Sequence, residues 1–122
     1  MSDALALGLS PTKPARRARR TAADRLRDAI LALSDHHAQV VAQSERAWAS
    51  ITFAGARHVF TLIFAGEAAV EAGERFVAKL PDHEFSVSGQ LVADATVSEI
   101  EHHILPSPRM IVTCEVLMLE EG

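Results

Sequence analysis

From Thr21 to Ser34 the apolar residues Leu26, Ile30 and Leu33 recur at spacings of four and three, which lays one hydrophobic stripe along a helix. Thr21 is suited to cap that helix, with Asp24 three positions on as a short-armed relative of the capping box. A different rhythm follows. In "QSERAWASITF", Ala47, Ala49, Ile51 and Phe53 alternate with Arg46, Trp48, Ser50 and Thr52, the period of a half-buried strand. "AGAR" reads as a turn and "RHVFTLIF" as a second strand of β-branched and aromatic residues. "GEAAVEAGERFVAKL" returns to helical spacing, with Val70, Phe76, Val77 and Leu80 as the stripe and Pro81 as the stop. Gly73 inside it costs about 1 kcal/mol relative to alanine. "QLVADATV" and "RMIVTCEVLML" are two further strands, joined through the prolines of "LPSP".

The order is αββαββ, and its two halves echo each other. "LSDHHAQV" (33–40) returns as "LPDHEFSV" (80–87), "AWASI" as "ADATV", and "RHVFT" as "RMIVT", which predicts an internal duplication. Two αββ units are satisfied by an α+β fold: one mainly antiparallel four-stranded sheet of order 1-2-4-3, with both helices on one face, a permuted ferredoxin-like plan. The expected organisation is a disordered basic tail over residues 1–20 and a single αββαββ domain over 21–122.

Strand parity sorts the side chains. Phe60, Leu62, Phe64, Val112, Cys114 and Val116 are expected under the helices, with Ala47, Ala49, Ile51, Ala93, Ala95 and Val97. The opposite, open face then carries Trp48, Val59, Thr61, Ile63, Val92, Ile111, Thr113, Leu117 and Leu119. An exposed sheet surface is normally polar. This one has an aliphatic centre of Val59, Ile63, Ile111 and Leu117 in a frame of serines and threonines, the pattern of an interface. A second copy of the chain is the expected partner, in a closed homodimer.

Composition narrows the class. The longest run without a charged residue, Ala47 to Ala56, is ten residues, far short of a membrane span. The N-terminus lacks the early positive charge of a secretory signal, and the single cysteine fits a reducing compartment, so a cytoplasmic protein is expected. Charge is uneven: residues 1–27 hold seven basic and two acidic residues, hence +5, and the remainder five basic and fourteen acidic, hence −9. The "RRARR" run suits phosphates. The acidic body and the lone Trp48 on the open face argue against nucleic acid as partner.

Candidate chemistry is thin. The pairs Asp35–His36 and Asp82–His83 offer imidazole and carboxylate to a metal. Their spacing matches no metal motif, and each is explained by its place at a helix end, so neither a metal nor another cofactor is expected. Cys114 falls on the core side, where a thiol stays protonated. No nucleophile elbow, phosphate loop or dinucleotide fingerprint is present, so the reading leans away from an enzyme. The competing class is a small-molecule binding protein. Trp48 would give apolar contact on the open face or at a subunit edge, and Arg57 and Arg109 would anchor an anionic ligand.

Through "ERAWASITFAGARH" and "DHEFSVSGQLVADATV" the chain resembles a small group of alphaproteobacterial proteins with similar segments, over roughly residues 25–120. The resemblance implies no activity and carries over no catalytic residue. The function expected from the sequence is a binding or scaffolding module.

Overall fold

Helix α1 (Ala22–Leu33) is fixed by its two ends. Thr21 Oγ1 accepts from the Asp24 N–H and Asp24 Oδ2 accepts from the Thr21 N–H, both at 3.1 Å, so the short carboxylate does close the capping box. The Thr21 N–H bond holds the Asp24 carboxyl below its ordinary range. At the other end, the Asp35 N–H donates to the Ala32 carbonyl at 3.0 Å and the His36 N–H to the Leu31 carbonyl at 2.9 Å, a Schellman closure. It places Asp35 and His36 in the left-handed region, at φ 57° and 60°. Buried Ser34 ties this turn down: its hydroxyl donates to the Leu31 carbonyl at 2.7 Å and accepts from the Ala38 N–H at 3.3 Å.

The computed structural model describes residues 20–121. Except for Arg20, the basic tail expected over 1–20 lies outside the described residues. Beyond α1 the elements are β1 (Gln39–Ala49), β2 (Ala54–Ala65), α2 (Glu67–Lys79), a 3₁₀ turn (Leu80–Asp82), β3 (Gln90–His103) and β4 (Arg109–Glu120). The four strands form one sheet, β1-β2-β4-β3, with every neighbouring pair antiparallel. Leu26 and Ile30 of α1 and Val70 and Phe76 of α2 share a core with Phe60, Leu62 and Phe64 of β2 and Val112, Cys114 and Val116 of β4. Both helices therefore cover the same face of the sheet, as the sequence predicts. The Phe64 and Phe76 rings meet at 5.9 Å.

Two glycines have structural reasons to be there. Gly66 stands between β2 and α2 at φ 99°, a conformation open to glycine. Gly73 lets α2 approach the sheet. A Cβ there would lie 2.6 Å from Met110 Cε and 2.9 Å from Phe64 Cγ, so the residue that weakens the helix locally permits its packing.

Several expectations need correction. The first hairpin turns at Ser50–Phe53, earlier than "AGAR". The Ser50 N–H donates to the Phe53 carbonyl at 2.7 Å, and Ser50 Oγ accepts from the Phe53 N–H at 3.1 Å. Ile51 is therefore fully exposed at a tip, and Phe53 half exposed, with neither in the core. Ala47 and Ala49 are exposed too. On β3 the register shifts between Val92 and Asp94 and again between Val97 and Glu99. These bulges bring Val92 to the core side opposite Met118 and leave Ala93 exposed, whereas Ala95 and Val97 stay on the core side. The echoing octets occupy matching places in the chain, each between a helix and the hairpin that follows, but their backbones differ. Asp35 and His36 are left-handed, whereas Asp82 ends a 3₁₀ turn and His83 is extended.

Candidate functional sites on the two faces of the sheet

On the open face the central strands stack their side chains in cross-strand rows: Gly55 with Leu119, Arg57 with Leu117, Val59 with Glu115, Thr61 with Thr113, and Ile63 with Ile111. Trp48 of β1 lies opposite Gly55 and joins the first row, where Leu91 of β3 extends it beyond Leu119. Ile63 and Ile111 form a direct apolar pair, continued by the methyl groups of Thr61 and Thr113. Val59 and Leu117 are diagonal neighbours beyond them, within side-chain reach. The other diagonal holds Arg57 and Glu115, whose charged atoms are 3.9 Å apart. The aliphatic strip is thus crossed by one internally neutralised ion pair. Val59, Thr61, Ile63, Ile111 and Thr113 remain partly exposed, and no element among the described residues lies over them.

The proposed anion anchors do not converge. Arg57 faces Glu115, and Arg109 sits opposite Ala65, eight residues farther along β2. At about 3.4 Å per residue this separates them by roughly 27 Å, too far for one small ligand.

The Asp–His pairs also stay apart from each other. Asp35 reaches Arg75 of α2 at 3.5 Å, and the His83 ring packs edge-on against Phe85 at 4.5 Å. Among the described residues no group of three histidine, cysteine, aspartate or glutamate side chains is placed to hold a metal. Cys114 is fully buried, and burial, with Glu115 adding to it, pushes its thiol up to about 12, so it carries no thiolate at neutral pH.

A second site, on the helix face, was missed by the sequence reading. His58 is 3% exposed and shares parity with Phe60, Leu62 and Phe64, so it points into the core side of β2. Its Nδ1 has no hydrogen-bond partner among the described residues, and the nearest charged atom, Glu45 Oε1 on β1, is 3.9 Å away. Small side chains leave space above it. Ala22 and Ala23 in the first turn of α1 and Ala47 and Ala56 on the sheet line a groove of about 360 Å³, together with Gln90 and Glu120. The available signal was parity: in "RHVFTLIF" His58 falls in the same alternate set as the three core residues that follow it.

Burial lowers the His58 pKa below the ordinary histidine value, and the Glu45 carboxylate only partly opposes this. The folded protein therefore holds His58 neutral at pH 7. In the unfolded chain the imidazole takes its proton near pH 6.5. Between that value and the lower folded one, the unfolded state binds more protons, so this contribution to stability is present above about pH 6.5 and is lost as pH falls. Urea midpoints measured between pH 7.5 and 5.5 are expected to decline, and His58→Gln to flatten the decline. An identical pH profile in the variant would show that His58 is not responsible.

No family model matches the chain, and no curated protein does. Among solved structures the fold is similar to a chain of the virion of a native gene transfer agent particle, with a TM-score of 0.51 and 15% sequence identity, covering 82% of this chain and 92% of that one. No helix among the described residues is long and apolar enough to cross a membrane. At 15% identity the likeness is one of fold: two helices on one face of a four-stranded antiparallel sheet.

Proposed function

We propose that this chain is an assembly module of the cytoplasm, not an enzyme, whose open sheet face is covered by a second copy of itself. The observation that carries the reading is the partly exposed strip of Val59, Ile63 and Ile111 on a sheet face over which no element of the described chain folds, with Leu117, expected in the same strip, already buried beside it. Four strands about 4.8 Å apart and about 35 Å long present a face on the order of 700 Å². That is close to the ~800 Å² per partner of a standard-size interface. A two-fold axis lying between the two faces, parallel to the strands, sets the Ile63–Ile111 row of each copy against the other. The Arg57–Glu115 pair, already matched within one chain, enters the contact with its charge balanced. The fold likeness agrees with this role, because the similar chain belongs to a virion, an assembled particle.

The reading predicts that the face is dry at working concentration. With a soluble paramagnetic agent, the methyl signals of Val59, Ile63 and Ile111 should be protected at high protein concentration and broadened on dilution, while exposed Ile51 and Ile104 broaden at both. Broadening of the strip at every concentration would contradict it.

A further inference from the structure

The groove under α1 carries a proposal separate from the open face. Its charged lining residues are both acidic: Glu45 from β1 and Glu120 from β4. Among the described residues no lysine or arginine lines it. Gln90 adds an amide, and His58 adds a neutral imidazole with one acceptor nitrogen. The first turn of α1 does not turn the groove into an anion site, since the Asp24 carboxylate of the same chain already occupies the helix end through the capping box. Besides Thr21 and Gly55, the remaining walls are alanines and Met118, surfaces suited to methylene groups.

The unsatisfied atom sits where a ligand would need it. His58 Nδ1 is buried and has no hydrogen-bond partner among the described residues, and its 3.9 Å separation from Glu45 Oε1 is too long for a direct hydrogen bond. Glu45 is the movable wall: its side chain is 57% exposed on an edge strand, whereas that of His58 is 4% exposed and fixed. A small outward swing of the carboxylate makes room for one N–H-bearing atom to donate to both groups.

We propose that this groove binds an alkylammonium group. Its N–H donors go to the Glu45 carboxylate and to His58 in the Nε2–H tautomer, Glu120 supplies the second negative charge, and its methylenes lie along Ala47 and Ala56. At about 360 Å³ the groove is at the small end of ligand sites and takes a short aliphatic amine rather than a nucleotide. The same group arrives either as a free amine or as the lysine side chain of another chain.

Histidine-labelled full-length protein at pH 8, where His58 is neutral, tests this by NMR. Titration with propylamine should shift the His58 ring signals saturably. Tetramethylammonium, which has the charge but no N–H, should leave them in place, as should acetate. Glu45→Gln should weaken the propylamine effect at least tenfold, and Glu120→Gln should weaken it too. Binding that is lost once the pH is low enough to protonate His58 would further support it, because protonated His58 no longer accepts a hydrogen bond. A lysine-containing peptide that binds more tightly than propylamine, with its acetyl-lysine counterpart inert, would assign the site to a protein partner; propylamine binding as tightly as the peptide would assign it to a free amine. Absence of a saturable shift, an equal response to tetramethylammonium, or unchanged binding in Glu45→Gln would overturn the proposal. None of these outcomes touches association through the open face, which is scored by oligomeric state.

Discussion

Valine at position 55 is expected to abolish the fold. Gly55 lies opposite Leu119 where β2 meets β4, and even a Cβ there would sit 1.9 Å from the Met118 carbonyl oxygen and 2.8 Å from Leu119 Cα. Both are backbone atoms of a central strand, so no side-chain movement relieves the overlap. The strands must part locally, which breaks the ladder between the two strands that supply half of the buried core. Separation of this kind should cost more than ~3 kcal/mol, a large share of the ~5–15 kcal/mol that holds a domain together. Gly55→Ala should already be severe. Gly73→Ala makes a useful contrast. Its new Cβ would meet the flexible end of Met110 and the Phe64 ring, and better helix propensity returns about 1 kcal/mol. Urea unfolding followed by circular dichroism should place Gly73→Ala between the unmodified protein and Gly55→Ala, with Gly55→Val lacking a cooperative transition. A Gly55→Val protein as stable as the parent would show that β2 and β4 do not approach in this way.

That glycine also marks a limit of what the sequence discloses. Beside Ala54 and Ala56 it reads as a turn, yet the turn is made by the Ser50 side chain four residues before the strand begins. Apolar alternation through Ile51 and Phe53 hid the turn, since exposed residues at a hairpin tip carry no periodic penalty. Element order, strand order and the core of β2 and β4 were legible because both central strands alternate without interruption from Arg57 to Phe64 and from Arg109 to Val116. The edge strand β3 was less so. Bulges after Val92 and after Val97 reverse the parity, and no residue type there announces them. The open-face strip was visible from parity alone. The His58 groove was not, because it depends on alanines from α1, β1 and β2 meeting in space.

The second large effect is expected at the proposed interface. Ile63 and Ile111 face each other directly, so placing aspartate at both would set like charges opposite one another and confuse folding with association. Ile63→Lys combined with Ile111→Glu avoids this: the two new side chains pair within one chain, and both positions are already partly exposed. The fold should survive with a stability change of about 1 kcal/mol or less. Association should not survive. Forcing two charged side chains into an apolar contact should weaken it by ~3 kcal/mol or more, about a hundredfold in Kd. A variant that keeps its circular dichroism spectrum and its parent's oligomeric state would place the interface elsewhere. The exposed apolar residues of the hairpin tips, Ile51 with Phe53 and Ile104 with Leu105, would then be the next surfaces to substitute.

Sedimentation equilibrium of the unmodified chain is the most direct test of the central claim, that the open sheet face is a self-association surface. At roughly 100 μM, a concentration that populates any complex with micromolar affinity, the account predicts a species of at least twice the 13.2 kDa of one chain. It should dissociate on dilution and be absent in the Ile63→Lys, Ile111→Glu protein. A single species of 13.2 kDa at that concentration would contradict it.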